Sequence, residues 1–186
     1  MPSKGALPRL YRNNRNGTFT DVTRATRLNR IGHAMGCNFG DLDNDGDQDV
    51  YVIMGGAFPG DNAHNCLFQN PGSTNRWLRL YLEGVRANRA AIGARIHVLL
   101  ETPAGPRSIH RTLSSGASFG ANPLRQEIGI GDATRIVAVE IQWPGSGTRQ
   151  RLEGLQPNHA YRITETGAAA IEVPQRQVPL PPVSKP

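Results

Sequence analysis

The sequence has few of the residues that build most enzyme and transition-metal sites. Its two cysteines, Cys37 and Cys66, are 29 residues apart, a separation that forms no metal-binding motif. Each lies in a hydrophobic, strand-like context where cysteine commonly serves as a small buried apolar residue, and a disulfide between them is the alternative. The five histidines show no ligand spacing, and no HExxH or GxSxG motif is present. We therefore expect a protein that is not an enzyme.

Lysine, aromatic residues and long apolar runs are also scarce. The net charge of +6 comes almost wholly from arginine, because only Lys4 and Lys185 are lysines, and aromatics make up 6% of the chain. The arginines are dispersed, so nucleic acid is not an expected partner. No apolar run reaches membrane-spanning length, and the first ten residues lack the apolar core of a signal peptide. We expect no membrane span, and a chain that is either cytosolic or preceded by further residues in its natural protein.

Glycine and proline, by contrast, are abundant. The 186-residue chain contains 21 glycines and 14 prolines and shows few helix-like stretches. This composition predicts many turns and an all-β fold. The length suits one domain or two small ones, and it is sufficient to bury a hydrophobic core.

The most distinctive segment is residues 41–49, DLDNDGDQD, hereafter the acidic loop. Its aspartates occupy alternate positions, and Gly46 supplies a permissive backbone for a sharp turn. Carboxylates packed this closely repel one another unless a cation lies among them, and their hard oxygen atoms favour calcium over zinc, copper or iron. The predicted calcium ligands are Asp41, Asp43, Asp45 and Asp49 through their side chains and Asp47 through its backbone carbonyl.

An EF-hand does not explain the acidic loop. That motif requires a bidentate glutamate at its twelfth position, which is Val52 here, and it requires a helix on each side. The residues that follow the loop, at positions 50–53, are β-branched or aromatic and predict a strand. The loop therefore joins two strands. The alternative to a calcium site is a solvated acidic turn whose aspartates accept hydrogen bonds from the local backbone.

Two groups of short strands are predicted on either side of residue 75. In the first group, Asn16-Gly17 is a typical hairpin turn, and the segment NCLFQN echoes LYRN 57 residues earlier, a spacing typical of propeller-like repeats. In the second group, Val137, Val139, Ile141 and Trp143 form one apolar face, and His97 and His110 lie on adjacent strands and are expected to pack across the sheet. The predicted strands span residues 9–14, 18–22, 34–40, 50–54 and 65–70, then 77–83, 94–100, 107–113, 125–130, 136–143, 148–152 and 160–164.

Several separated motifs resemble two known families in the families' own order. The stretches LYRNNRNGTFTDVT, MGCNFGDLDNDGDQDVYV and NCLFQN are similar to one unit of the FG-GAP/VCBS repeat proteins. The stretches WLRL, LEG, NRAAIGAR, GASFG, IGIG and IQWP resemble the ASPIC/UnbV domain, which occurs at the C-terminus of such proteins, including the cartilage acidic protein type. The chain departs from the pattern in reading IGIG where FGLG is commoner, and in carrying about one propeller blade.

The resemblance implies the domain organisation and the class of function. It implies an all-β chain with one partial β-propeller-type calcium-loop unit at residues 1–75 and a β-sandwich or jelly-roll-like domain at 76–166. The prolines of the last segment separately indicate a linker or extended tail at 167–186. The resemblance also implies an extracellular or periplasmic, calcium-stabilised binding or adhesion module with a protein or glycan partner. The alternatives are a carbohydrate-binding accessory domain, for which Trp77, Tyr81 or Trp143 would be exposed, and a subunit that self-associates through its blade edge.

Overall fold

The computed structural model describes residues 9–14, 16–26, 28, 34–56, 59–60, 62–116 and 123–180. The lead-in residues 1–8, His33, most of the GASFG motif and residues 181–186 lie outside this part. Within it the fold is all-β, as predicted, and none of the described helical residues forms a segment able to cross a membrane. The strands are β1 (Tyr11–Asn13), β2 (Phe19–Asp21), β3 (Ala34–Gly40), β4 (Asp49–Met54), β5 (Cys66–Phe68), β6 (Arg76–Glu83), β7 (Arg95–Thr102), β8 (Gly105–Thr112), β9 (Gln126–Gly131), β10 (Arg135–Gln142), β11 (Arg149–Leu152), β12 (His159–Thr164) and β13 (Ile171–Glu172).

The chain divides into two compact units by its internal contacts. The first takes in Met1–Phe39, Asp49–Gln69 and Ala117–Ala121, and the second Gly40–Gln48, Asn70–Gly116 and Asn122–Pro186, so far as these residues are described. Most of the acidic loop thus belongs with the second unit. The boundary expected at residue 75 stays a sequence-based prediction.

The first unit consists of two small sheets. Strands β1 and β2 form the predicted hairpin, with Gly17 at a φ of 82° in the turn, and β3, β4 and β5 form a three-stranded sheet. Val52 and Met54 are buried, and Cys66 packs against them. Both cysteines are free. Cys37 follows the buried Gly36 on β3 and therefore lies on the opposite, exposed face of the strand, so the expectation of a buried Cys37 was wrong.

The second unit is the predicted β-sandwich. One sheet has the order β11-β10-β7-β8 and the other β13-β12-β6-β9, in which β12 and β6 run parallel. Side chains from both sheets meet in one core that includes Leu78, Val98, Ile128 and Ile141. Trp143 is buried in this core as predicted, 1% exposed, with its indole N–H donating to Gln150 Oε1 at 3.1 Å.

One detail of β10 differs from the expected alternation. The strand pairs with β7 through a register shift between Ile136 and Ala138. The irregularity turns Ile136 into the core at 3% exposure, and it leaves Val137 partly exposed, whereas the simple period of two predicts Val137 as the buried residue. Ala138, which the same period of two places on the outer face, is fully buried.

The Pro-rich segment after residue 167 extends the second sheet. Its residues 171–172 form β13, which pairs antiparallel with β12. The backbone N–H of Val178 donates to the carbonyl of Asp43 at 2.7 Å, and Asn44 Nδ2 donates to the carbonyl of Arg176 at 3.1 Å. The extended segment therefore runs beside the acidic loop.

Glu165 fixes the turn that follows β6. Its Oε2 accepts the backbone N–H groups of Val85, Arg86 and Ala87 at 2.8, 2.6 and 2.8 Å. Burial raises the pKa of this carboxyl, but hydrogen bonds from Ser146 and from the three N–H groups outweigh it and hold the pKa at about 2. The ionised carboxylate is therefore the form that the fold favours.

We expect Glu165→Gln to change how stability depends on pH. Since the folded pKa of about 2 lies below the ordinary 4.5, the carboxylate stabilises the wild type above pH 4.5, and this contribution is lost as the pH falls towards 2. Urea midpoints measured across that range should fall more steeply in the wild type than in the variant. Parallel curves would contradict this role for Glu165.

Candidate metal centre

Three aspartates of the acidic loop bring their carboxylates together. Asp41, Asp43 and Asp45 each offer an oxygen atom, and these atoms lie within 4.8 Å of one another. Asp41 and Asp43 are buried, 1% and 7% exposed, whereas Asp45 is exposed. The donors are all hard oxygens, and the spacing allows one ion to contact all three, so the residues fit a calcium ion.

The loop backbone folds around its own carboxylates. Asp41 Oδ1 accepts the N–H of Asp45 at 3.1 Å, and Asp41 Oδ2 accepts the N–H of Gly46 at 2.9 Å. Asp45 Oδ1 in turn accepts the N–H of Asp47 at 3.0 Å. These hydrogen bonds are the ones expected if the loop is an acidic turn whose aspartates accept from the local backbone. The same bonds also hold the carboxylates in the arrangement that a cation would use.

Arg79 pairs with one member of this group. It lies on β6, pointing away from the core leucines Leu78 and Leu80, and its guanidinium donates to Asp41. Both side chains are 1% exposed, so the ion pair is shielded from water. The same guanidinium donates to Asn44 Oδ1 at 3.1 Å. Arg79 thus supplies a positive charge to one side of the loop.

Glu127, on the neighbouring strand β9, holds the two ends of the loop. Its Oε2 accepts the backbone N–H of Asp41 at 3.1 Å and the side-chain amide of Gln48 at 3.0 Å. Its Oε1 pairs with Arg125 at 2.7 Å and lies 3.9 Å from Arg79. The segment from Asp41 to Gln48 is therefore fastened to the outer face of the β6–β9 strand pair.

Burial raises the pKa of Asp41. The carboxylates of Glu127 and Asp45 raise it further, whereas Arg79 and the N–H of Gly46 lower it, and burial is the largest of these effects. Negative charge is thus crowded at this point even with Arg79 in place. A bound cation would relieve that crowding.

Two features of the structure require glycine at position 46. Its φ of 103° lies in the region that residues with side chains rarely adopt, which confirms the sharp turn predicted at this position. In addition, a Cβ built on Gly46 would lie 1.8 Å from Nε1 of Trp77. The indole of Trp77 therefore rests directly on the loop, and the guanidinium of Arg79 lies 5.2 Å from the ring centre.

We expect Gly46→Ala to destabilise the chain by about 2–4 kcal/mol, because backbone strain and a steric clash add together. A matched control is Gly154→Ala, where φ is 79° but nothing lies within 4 Å of the added Cβ. The control isolates the cost of the backbone strain. Urea denaturation of both variants measures the difference, and equal losses would show that Trp77 does not press on Gly46.

The five predicted ligands do not all fall into one group. Asp41, Asp43 and Asp45 are brought together, and the group of carboxylates within 4.8 Å includes neither Asp47 nor Asp49. Asp47 was predicted to act through its backbone carbonyl, and a side chain outside the group is compatible with that role. Asp49 begins β4 and is 1% exposed. The full ligand set stays a prediction.

Sequence reasoning missed the residues that support the loop, namely Arg79, Arg125 and Glu127. A signal for Arg79 is present, because it interrupts the apolar run from Trp77 to Leu82, where a charge needs a buried partner of opposite sign. For Glu127 no local signal exists, since the residue follows Arg125 in an ordinary alternating strand. Its partner Asp41 is 86 positions away.

Residues 84–170 match the family model described as ASPIC and UnbV, and residues 3–52 match that of the FG-GAP-like repeat. The FG-GAP-like match contains the whole acidic loop. The ASPIC and UnbV match contains Glu127 and most of the sandwich. Comparison with curated proteins gave no match.

Proposed function

This chain combines an FG-GAP-like repeat with an ASPIC and UnbV domain, and on that premise we propose that it is a calcium-stabilised binding or adhesion module without catalytic activity. Its place of action is outside the cytoplasm, in the extracellular space or the periplasm, where millimolar calcium suits a loop of this kind. Its partner is a protein or a glycan.

The observation that carries the proposal is that carboxylate oxygens of Asp41, Asp43 and Asp45 lie within 4.8 Å of one another. Calcium bound there would neutralise carboxylates that burial otherwise disfavours. Because Glu127 and Arg79 fasten the same loop to β9 and β6, an ordered loop also orders the sheet face beneath it. The metal thus serves stability, and the surface of the sandwich is left for recognition.

We expect calcium to raise the thermal stability of the chain. Extracellular calcium modules bind with dissociation constants of about 10⁻⁴–10⁻³ M. At a calcium concentration of roughly 100 times that constant, linkage contributes about 2.7 kcal/mol to the free energy of unfolding. Melting curves recorded in calcium and in chelator measure this directly.

The control for the melting experiment is Asp45→Ala, which removes the exposed member of the group and leaves the buried pair of Asp41 and Arg79 intact. Its melting temperature should no longer respond to calcium. Equal wild-type melting temperatures in calcium and chelator would contradict the calcium site. An unchanged response in Asp45→Ala would place the effect elsewhere in the chain.

A second candidate function is assembly through the first unit. Tyr11 and Phe19, on the two strands of the hairpin, are 52% and 63% exposed, and Leu67 on β5 is 42% exposed. Exposed apolar side chains on short strands favour contact with another chain. Light scattering should then show a dimer or larger species that Phe19→Ser weakens, and a strict monomer at all concentrations would contradict self-association.

The alternative of a carbohydrate-binding domain that stacks sugars on exposed aromatic side chains has less support. Trp143 is buried, Trp77 is half-buried against Gly46, and Tyr81 is also only partly exposed. These three side chains therefore do not offer the open aromatic platform on which a neutral sugar ring would stack.

A further inference from the structure

The outer face of the β11-β10-β7-β8 sheet carries a groove that is lined mainly by polar and charged residues. The groove has a volume of about 490 Å³, and Ile96 and Ile141 are its only apolar lining residues. The remaining lining side chains are charged or hydrogen-bonding, and they come from all four strands of the sheet. Neither the acidic loop nor its supporting residues take part in this groove.

Two rows of side chains cross the sheet at this groove. In the first row Gln142 stands between Arg149 and Arg95, with Thr112 at the end of the row, as the strand registers show. Because neighbouring strands are about 4.8 Å apart, the two arginines are about 10 Å apart at the backbone and can reach one ligand from both sides. Both are exposed, and neither guanidinium has a hydrogen-bond or ion-pair partner among the described residues.

The second row contains the predicted pair of histidines. The rings of His97 and His110 stack at 4.2 Å with an angle of 9° between their planes, which confirms the cross-strand packing expected from the sequence. Glu140 Oε1 accepts a hydrogen bond from Arg151, and Glu140 Oε2 lies 3.1 Å from Nδ1 of His97, so the carboxylate already has two partners within the protein. This row presents ring nitrogens beside the two arginines of the first row, without a second carboxylate.

The balance of charge decides what the groove can hold. Four arginines and a single glutamate line the groove. The glutamate is paired with Arg151, and the Arg111 guanidinium donates to the carbonyl of His110, so the pair Arg95 and Arg149 is left to bind an anion. Guanidinium groups bind carboxylates in a bidentate geometry. Between them, the amide of Gln142 and the hydroxyl of Thr112 offer both donors and acceptors, which suits a ligand rich in hydroxyl groups.

We infer that this groove binds an acidic glycan, in which uronate carboxylates contact Arg95 and Arg149 and sugar hydroxyls contact Gln142 and Thr112. An acidic peptide fits less well, because the groove lies on a sheet face, away from the strand edges used for β-augmentation, and it lacks apolar pockets for side chains. The inference rests on the proposed binding role, but it does not depend on the calcium loop.

The test compares ligands that differ in one chemical feature. Calorimetric titration of the full chain with oligoglucuronate should show binding that weakens as ionic strength rises. An uncharged glucose oligomer of equal length should not bind. Polyglutamate supplies carboxylates without sugar hydroxyls, and oligothymidylate supplies negative charge without carboxylates. Each should bind more weakly than oligoglucuronate.

Matched variants locate the site. Arg95→Gln combined with Arg149→Gln should weaken oligoglucuronate binding at least about tenfold, since each substitution removes a charge-assisted hydrogen bond. Arg86→Gln combined with Arg162→Gln removes the same charge from exposed positions outside the groove and should leave binding unchanged. Gln142→Leu, which alters no charge, should weaken binding to oligoglucuronate but not to polyglutamate.

Three results would overturn the inference: no binding of oligoglucuronate, equal binding of polyglutamate or oligothymidylate, or equal losses in the two double variants. Calcium-dependent melting of the same protein keeps this question apart from the metal site. A chain that responds to calcium but does not bind oligoglucuronate would contradict only the groove, and the converse result would contradict only the calcium loop.

Discussion

Replacing Arg79 by leucine should destabilise the chain by about 3–5 kcal/mol. The guanidinium and the Asp41 carboxylate are each 1% exposed, and the Glu127 carboxylate, 8% exposed, is 3.9 Å from the same guanidinium. Removal of one partner of a buried ion pair leaves the other charge uncompensated in a medium that solvates it poorly. The loss should be largest in chelator and smaller in calcium, since a bound cation would replace part of the missing positive charge.

The matched control for Arg79→Leu is Arg162→Leu. Arg162 lies on β12, the strand beside β6 in the same sheet, and its side chain is exposed. We expect it to change stability by no more than about 0.5 kcal/mol. Adding Asp41→Asn to Arg79→Leu should recover part of the loss in chelator, because the buried negative charge is then absent. If Arg79→Leu is as mild as the control, Arg79 is not buried against the loop.

Replacing Trp143 by alanine should also cost about 3–5 kcal/mol. The indole is 1% exposed in the sandwich core, and its N–H donates to Gln150 at 3.1 Å. Truncation leaves a cavity among close-packed apolar side chains and removes the hydrogen-bond donor for Gln150. Urea denaturation of the wild type and the variant, both in calcium, gives the difference in the free energy of unfolding.

A control for the cavity is Trp143→Phe, which keeps an aromatic ring in the core. It should retain more than half of the stability that Trp143→Ala loses, and it should fold cooperatively. A cost below about 1 kcal/mol for Trp143→Ala would mean that the indole is not a core residue. Quenching of Trp143 fluorescence by a water-soluble quencher would point the same way.

The strands of the sandwich were predictable because their signals are local. All seven predicted strands of the second group are present, since each alternates apolar and polar residues between turns rich in glycine or proline. The hairpin at Gly17 and the turn at Gly46 were predictable for the same reason. Each depends on a residue that accepts a positive φ.

The support of the acidic loop was not predictable, because it depends on long-range contacts. The bonds of Asp41 to Arg79 and Glu127 join residues 38 and 86 positions apart, and an alternating strand pattern does not reveal which face meets another part of the chain. Strand β13 is only two residues long and lies in a segment whose prolines suggest a linker. The register shift in β10 also leaves no trace in the alternation of Val137, Val139 and Ile141.

The central proposal is that the acidic loop binds calcium, and the indole of Trp77 gives a direct way to measure it. The chain has two tryptophans, so Trp143→Phe leaves Trp77, which rests on Gly46, as the only one. Titration of this variant with calcium should change the Trp77 emission in a saturable way, with a dissociation constant of about 10⁻⁴–10⁻³ M. The change should disappear when Asp43→Ala and Asp45→Ala are added. An emission that does not respond to calcium, or that responds equally without these two carboxylates, would contradict the calcium site.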